Sequence, residues 1–160
     1  MKTICVTGSV ASGKTTISKK LAKSLSFDYI DVHEIIKKNK IHDGYDRKNK
    51  CYIVDTKKLN RFLIKIINNS KNSLIFDSHL SHYLPSKYVD LCIVTICDIE
   101  ILSKRLKNRN YGKNKIADNL EAEIFRSCLF ESKSKRHNVL VLDTSSKINF
   151  TSILKYINGI

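Results

Sequence analysis

Gly8-Ser9-Val10-Ala11-Ser12-Gly13-Lys14-Thr15 is the stretch that decides the fold of this 160-residue chain. It matches the pattern GxxxxGK[ST] at every required position, which chance supplies in only about one chain of this length in 200. A β-branched run, Thr3 to Thr7, precedes it, and apolar residues at helical spacing follow it from Thr15 to Leu25. Because the pattern requires a strand before it and a helix after it, this octapeptide predicts a phosphate-binding loop rather than a plain glycine turn.

The chemistry of such a loop assigns a role to each side chain near it. Backbone N–H groups and the helix N-terminus favour nucleotide phosphates. Lys14 is expected to reach the β- and γ-phosphates of ATP, and the Thr15 hydroxyl to bind Mg²⁺. Asp77 ends an apolar run and is our candidate for the acidic residue that completes the magnesium shell, with a helix cap or a turn as the alternative.

Strand-like and helix-like segments alternate along the whole chain. Further strands are predicted at 27–31, 74–76, 91–96 and 139–142, helices at 33–39, 59–68, 99–106, 116–130 and 150–157, and a loop at 40–50. This alternation predicts an α/β fold with a three-layer parallel sheet and helices on both faces. A ligand crevice is expected at the carboxyl ends of the strands.

Composition limits the classes of protein that remain. At 18.4 kDa, with 42% hydrophobic and 28% charged residues, the chain predicts one folded domain over residues 1–160. Its apolar runs are too short for a membrane helix or a secretory signal, so we expect no membrane partner and a cytoplasmic protein, also nuclear in a eukaryotic source. The five cysteines are expected to be free thiols, because no CxxC pair suggests zinc.

The charge balance favours polyanionic partners. The chain carries 29 basic and 15 acidic residues, for a formal net charge of +14. Nucleotide phosphates and RNA both fit this charge, which cannot separate them on its own.

Two further sets of side chains are candidates for the site. His79 and His82 follow Asp77; either is a catalytic candidate, with polar surface as the alternative, and together they make a poor metal site. Arg105 and Arg109 are four residues apart, which predicts one helical face that closes on the triphosphate, or else an ordinary solvated basic face.

Five segments beside the phosphate-binding loop carry a family resemblance. They are Ile41-His42-Asp43-Gly44-Tyr45-Asp46, Val54-Asp55, Asp77-Ser78-His79-Leu80-Ser81-His82, Arg105-Leu106-Lys107-Asn108-Arg109-Asn110-Tyr111 and Asp118-Asn119-Leu120-Glu121-Ala122-Glu123-Ile124. Together they resemble the adenylate kinase isoenzyme 6 family over roughly residues 2–147.

The resemblance implies a P-loop NTPase of the nucleoside monophosphate kinase type. An NMP-binding segment is expected at about 31–54 and a short lid at about 108–118. It further implies adenylate kinase activity (ATP + AMP = 2 ADP), ATP hydrolysis, and a role in maturation of the small ribosomal subunit. The implied partners are AMP or a related monophosphate, a platform ribosomal protein, and particles that contain pre-rRNA.

Site residues follow from the same resemblance. Those matching ATP-contacting positions are Gly13, Lys14, Thr15, Thr16 and Arg109, and we add Ala11, Ser12 and Lys147 as nucleotide-binding candidates. Asp77 and His79 match a Walker B-type block whose histidine is implied to act in catalysis, and Arg105 is a further catalytic candidate.

Three departures from the family pattern affect these expectations. Ala11 stands where most members have glycine, which makes the loop backbone less free. Lys37 replaces a helix arginine near the AMP phosphate, which removes bidentate phosphate recognition. The usual Arg-Gly-Tyr of the lid reads Arg109-Asn110-Tyr111, a mild change because asparagine tolerates the left-handed conformation.

Two functions from different classes remain open. One is a kinase that converts ATP and AMP into ADP, and the other is an assembly factor whose nucleotide cycle governs binding of a ribosomal protein. A kinase for another small metabolite is disfavoured by the Asp43–Asp46 and Asp77–His79 blocks. For a basic ribosomal partner we expect a local acidic or apolar patch, with Glu121, Glu123 and Glu131 as the acidic candidates. The alternative is that these glutamates merely balance neighbouring lysines.

Overall fold

A computed structural model of the protein describes residues 1–47 and 51–160. Its strands are β1 (Thr3–Gly8), β2 (Asp28–Asp31), β3 (Gly44–Asp46), β4 (Cys51–Ile53), β5 (Leu74–Asp77), β6 (Leu91–Ile96) and β7 (Val139–Asp143). Its α-helices are α1 (Lys14–Leu25), α2 (Val32–Lys38), α3 (Thr56–Asn69), α4 (Ile99–Lys107), α5 (Lys113–Ile124), α6 (Ser127–Ser134) and α7 (Phe150–Gly159).

Five strands form one parallel sheet in the order β2-β5-β1-β6-β7. The central strand β1 is buried along its whole length. Its alternate side chains serve two cores: Ile4 and Val6 pack with α1 and α7, and Cys5 packs with α2 and α3. Burial on both faces explains why the central strands read as continuous apolar runs, and the predicted three-layer α/β fold is confirmed.

The carboxyl ends of the strands bring the polar residues to one edge of the sheet. Asp31 at the end of β2 is in register with Asp77 at the end of β5. Gly8 ends β1 beside Thr95 of β6, where a Cβ on Gly8 would lie 2.4 Å from the Thr95 carbonyl oxygen. Only glycine lets the chain turn here at a φ of 141°, so the phosphate-binding loop leaves the sheet at this point.

The prediction of one helix at 116–130 is wrong. Two helices, α5 and α6, meet at Arg126, whose left-handed backbone (φ 51°, ψ 39°) interrupts the helical path. The apolar spacing continues across this break, which is why the sequence pattern does not reveal it. The predicted loop at 40–50 is also partly wrong, because Gly44–Asp46 pairs with Cys51–Ile53 in an antiparallel hairpin; positions 48–50 lie outside the described residues.

The described helices are all too short or too polar to cross a lipid bilayer.

Candidate nucleotide-binding site

The phosphate-binding loop is held open by two left-handed residues. Gly13 has φ 89° and precedes α1, while Ala11 has φ 65°. An L-residue in the left-handed region costs roughly 1–2 kcal/mol, so Ala11 carries strain at the position where the resembled family has glycine. The loop keeps its shape because Ser12 is anchored: its hydroxyl lies 2.6 Å from the Thr95 hydroxyl, and its carbonyl accepts a 2.9 Å hydrogen bond from Thr144 Oγ1.

Lys14 curls over the loop that it follows. Its Nζ donates to the carbonyl oxygens of Gly8 at 2.9 Å and of Ser9 at 2.7 Å. Burial among these groups lowers the pKa of Lys14 to about 8, although nearby Asp77 and Glu123 oppose this shift. The ammonium is therefore still charged at neutral pH, and its charge faces the position that a bound phosphate occupies in such a loop.

Two cavities meet at the phosphate-binding loop. One has a volume of about 620 Å³ and the other of about 790 Å³. Both are lined by Ala11, Gly13, Thr16 and Arg109. The loop therefore forms a shared floor between two spaces, each large enough for a small-molecule ligand.

The smaller cavity lies between the loop and the segment that leads into α7. Phe150 and Ile148 give it an apolar wall, and the Lys20 ammonium lies 3.8 Å from the Phe150 ring centroid. Lys147, a predicted nucleotide-binding residue, is not among the described lining residues, whereas its neighbours Ser146 and Ile148 are.

The larger cavity contains both predicted metal ligands. Thr15 and Asp77 line it together, beside His79. Asp77 is buried, and its Oδ2 accepts a 2.9 Å hydrogen bond from the Tyr29 hydroxyl. A hydroxyl and a carboxylate on one wall are the hard oxygen donors that Mg²⁺ prefers, so these residues fit a magnesium ion chemically.

His79 opens into the larger cavity, where its side chain is accessible. Desolvation within the cavity, helped by the charge of Lys14, lowers the pKa of His79 to about 4. The imidazole is therefore neutral at physiological pH and can accept a hydrogen bond from a water molecule or a ligand.

The two arginines do not share a helical face, contrary to the prediction. Helix α4 ends at Lys107, so Arg109 lies in the turn beyond it, while Arg105 is still helical. The Arg105 guanidinium donates to the Thr144 carbonyl oxygen at 2.8 Å and to Thr144 Oγ1 at 3.1 Å. Arg105 thus links α4 to the end of β7 at the smaller cavity, and Arg109 borders both cavities.

The predicted NMP-binding segment and the predicted lid both contribute residues to the lining of the larger cavity. Asp31, His33, Ile36, Tyr52 and Val54 come from the former, and Arg109, Tyr111, Lys115 and Asp118 from the latter. Lys37 is exposed on α2 and is not among the described lining residues.

The expected acidic patch is wrong for one of its three members. Glu123 is only 2% exposed: its carboxylate accepts from Ser9 Oγ and from the Cys97 N–H and pairs with Arg126. Glu131 binds Nε2 of buried His82 at 2.7 Å. Glu121 is exposed and the Glu131 side chain is 43% exposed, so two of the three glutamates reach the surface.

His82 belongs to a buried network behind the loop. Its Nδ1 lies 2.8 Å from the Thr7 hydroxyl, and burial lowers its pKa despite the neighbouring Glu131 carboxylate. The neutral ring therefore donates from Nε2 to Glu131 and accepts at Nδ1 from Thr7. These hydrogen bonds join the end of β1 to the turn that carries His79.

Tyr29 and Thr144 are site residues that sequence reasoning missed. Tyr29 pairs with Ile75 in the sheet register, two residues before the Asp31–Asp77 pair, so all four side chains share one face of the sheet. If the pairing of β2 with β5 had been known, the alternation of side chains along β2 would have indicated that Tyr29 lies near Asp77. Thr144 follows β7 and offered no local signal.

Comparisons with known proteins agree with this geometry. An AAA domain family profile matches residues 4–126. Proteins named adenylate kinase isoenzyme 6 homolog in Dictyostelium discoideum and Schizosaccharomyces pombe are each 32% identical to the chain, over 89% and 90% of it and 81% of each relative. A relative from Methanocaldococcus jannaschii is 39% identical over 90% of this chain and 77% of its own length.

Solved structures share the fold at low sequence identity. A shikimate kinase from Bacteroides thetaiotaomicron superposes with a TM-score of 0.66 at 11% identity, over 99% of both chains. A deoxyadenosine kinase from M. mycoides, solved with bound dATP, has a TM-score of 0.58 at 14% identity, over 99% of this chain and 100% of its own. The architecture is thus that of P-loop kinases.

Proposed function

Because this chain belongs to the adenylate kinase isoenzyme 6 family, we propose that it transfers the γ-phosphoryl group of ATP to AMP or a related nucleoside monophosphate. The observation that carries the proposal is the pair of cavities that share the phosphate-binding loop as their floor. Phosphoryl transfer between two nucleotides needs a donor and an acceptor that meet at one phosphate position, and two spaces that converge on Gly13 and Arg109 suit this need.

The smaller cavity is the proposed donor site. Its apolar wall of Ile148 and Phe150 suits a purine base, and the loop N–H groups lie where the triphosphate would continue. Thr15 and Asp77 are the residues that would hold magnesium, which when bound neutralises charge on the β- and γ-phosphate oxygens.

Electrostatic stabilisation is the main catalytic contribution that we assign to the chain. The Lys14 ammonium would move from the Gly8 and Ser9 carbonyls to the phosphates, and Arg109 would add a second positive charge from the lid side. Both charges act where negative charge develops during transfer.

The larger cavity is the proposed acceptor site. An AMP phosphate is already anionic and needs no general base, so the acceptor needs positive charge and alignment more than proton removal. Arg109 and Lys115 border this cavity. Their positive charges can serve the acceptor in place of Lys37, which is exposed on α2. Tyr52 and His33 supply aromatic surface against which a base can pack.

ATP hydrolysis is the second activity that we propose for this site. A water molecule, unlike AMP, needs a group that orients it, and neutral His79 beside Lys14 has the required acceptor nitrogen. Equal use of His79 by both reactions would count against this assignment.

We also propose a role in maturation of the small ribosomal subunit through contact with a platform ribosomal protein. The support is the +14 charge, which suits a location near rRNA, and family membership. Since Glu123 is buried and Glu131 is engaged by His82, the contact is assigned to the exposed apolar side chains Ile124, Phe125 and Phe130 at the junction of α5 and α6.

Chromatographic measurement of ATP, ADP and AMP, with and without added AMP, tests the kinase proposal. A kinase consumes one AMP per ATP and forms two ADP, whereas hydrolysis forms one ADP and one phosphate. Consumption of AMP that matches consumption of ATP supports the proposal. A rate of ATP loss that is the same with and without AMP, while the amount of AMP stays unchanged, contradicts it.

A further inference from the structure

Among the described residues, Tyr29 is the one side chain that forms a hydrogen bond with the Asp77 carboxylate. The Tyr29 hydroxyl donates to Oδ2 at 2.9 Å, within a site where Asp77 is only 6% exposed. Asp77 and Thr15 line the same cavity. Tyr29 therefore binds one of the two residues to which the proposed function assigns magnesium.

The position of Tyr29 is fixed independently of any ligand. It lies on β2, in register with Ile75 of β5, and packs against the core between the sheet and α1. Because the phenol is attached to a sheet strand, it is a rigid donor rather than a flexible loop side chain.

A direct pair between Lys14 and Asp77 would disable the site. The two groups carry opposite charges and interact electrostatically, yet no ion pair joins them in residues 1–47 and 51–160. Lys14 Nζ is instead held by the Gly8 and Ser9 carbonyls, and Asp77 by Tyr29. A carboxylate free to rotate toward Lys14 would neutralise the phosphate-binding charge and lose its own place in a metal shell.

We propose that Tyr29 is a positioning residue that holds the Asp77 carboxylate in the orientation that binds magnesium together with Thr15. The inference rests on the proposed function, because it concerns the metal ion that accompanies ATP. The phenol is a neutral donor, so it orients the carboxylate without cancelling its charge. With Oδ2 engaged, Oδ1 is the oxygen available to the ion or to one of its water ligands.

Binding of the non-hydrolysable analogue AMP-PNP, measured by calorimetry with Mg²⁺ and separately with EDTA, tests this role without reference to catalysis. The ratio of the two affinities reports how well the protein holds the metal. In Tyr29→Phe, which removes only the hydroxyl, we expect this ratio to fall by at least about fivefold while affinity in EDTA changes by less than about twofold. Asp77→Asn should lower the ratio likewise, and Tyr156→Phe, an exposed tyrosine on α7, should leave it unchanged.

Three outcomes would overturn the proposal: a Tyr29→Phe variant that keeps the full ratio, one that weakens binding equally with and without Mg²⁺, and a wild-type protein whose affinity ignores Mg²⁺. Thermal unfolding by circular dichroism confirms that each variant is folded at the temperature of the titration. A wild-type protein that shows the metal effect but leaves AMP unphosphorylated would contradict the kinase proposal and leave the role of Tyr29 standing.

Discussion

The hydroxyl of Ser9, the second residue of the phosphate-binding loop, donates a 2.6 Å hydrogen bond to Oε2 of Glu123 in the last turn of α5. The other carboxylate oxygen accepts a 2.9 Å hydrogen bond from the Cys97 N–H and pairs with Arg126. A single buried carboxylate thereby joins the loop, the end of β6 and the break between α5 and α6. Because the first turns of α5 belong to the predicted lid, Glu123 connects the lid to the phosphate-binding loop.

Glu123→Gln should destabilise the protein. The amide keeps the size of the side chain but loses the charge that Arg126 pairs with, and it turns an NH₂ group toward a donor. We expect a loss of about 1–3 kcal/mol in the free energy of unfolding, measured by urea denaturation. Glu121→Gln, an exposed glutamate on the same helix, is the matched control. Equal stability of the two variants would show that the buried carboxylate contributes nothing.

Lys14→Ala should abolish both kinase and ATPase activity. The variant loses the charge on the β- and γ-phosphates, and we expect a rate at least about 100-fold lower, from the typical effect of removing one preorganised donor. Initial rates at saturating ATP measure this, with exposed Lys23→Ala on α1 as the control. A Lys14→Ala protein that keeps more than about a tenth of the wild-type rate has lost only about 1.4 kcal/mol, and the assignment of Lys14 is then wrong.

His79→Ala should separate the two reactions. Hydrolysis needs an oriented water molecule and AMP phosphorylation does not, so phosphate release should fall several-fold more than ADP formation from AMP. Since the pKa of His79 is about 4, the wild-type hydrolysis rate should also show no acid limb near pH 6.5. Equal loss of both reactions in a folded variant would assign His79 a structural role.

ATP binding should weaken as the pH rises above about 8. Burial lowers the pKa of Lys14 from 10.5 to about 8, so the free protein loses this charge within the accessible range. The affinity for AMP-PNP in EDTA, measured from pH 7 to 10, reports this loss of charge directly. Lys14→Arg keeps its charge and should flatten the profile. A wild-type affinity that stays constant to pH 9.5 contradicts the assigned titration.

The same shift makes a prediction for stability with the opposite sign. Between pH 8 and 10.5 the unfolded chain binds more protons at Lys14 than the folded chain does, so this group's contribution to stability increases as the pH rises. The free energy of unfolding in urea, compared between the wild-type and Lys14→Arg proteins across this pH range, isolates the contribution of Lys14.

Phe125→Ser together with Phe130→Ser should reduce capture of a recombinant platform ribosomal protein. The two rings are 63% and 67% exposed, so their loss should cost little stability while it removes most of the apolar patch. Pull-downs with and without ATP, at two salt concentrations, measure capture, and Tyr156→Ser is an exposed aromatic control. No capture by the wild-type protein in any condition contradicts the assembly role, and capture that ignores ATP contradicts coupling to nucleotide.

The amino-acid sequence by itself determined the α/β architecture and the position of the phosphate-binding loop. Both depend on short-range patterns: β-branched runs that alternate with helical spacing, and a loop motif whose glycine and lysine are contiguous in the chain. The place of Asp77 was also predictable, because the last residue of this buried parallel strand lies at the edge of the sheet where β1 ends.

Tertiary structure decided which charged side chains face inward. The helical pattern of α5 does not distinguish Glu123 from Glu121, since burial of Glu123 depends on Ser9, 114 residues away in the sequence. The break at Arg126 has the same origin, because Arg126 pairs with that buried carboxylate. Tyr29 meets Asp77 only because β2 and β5, distant in sequence, are neighbours in the sheet, a pairing that no local pattern encodes.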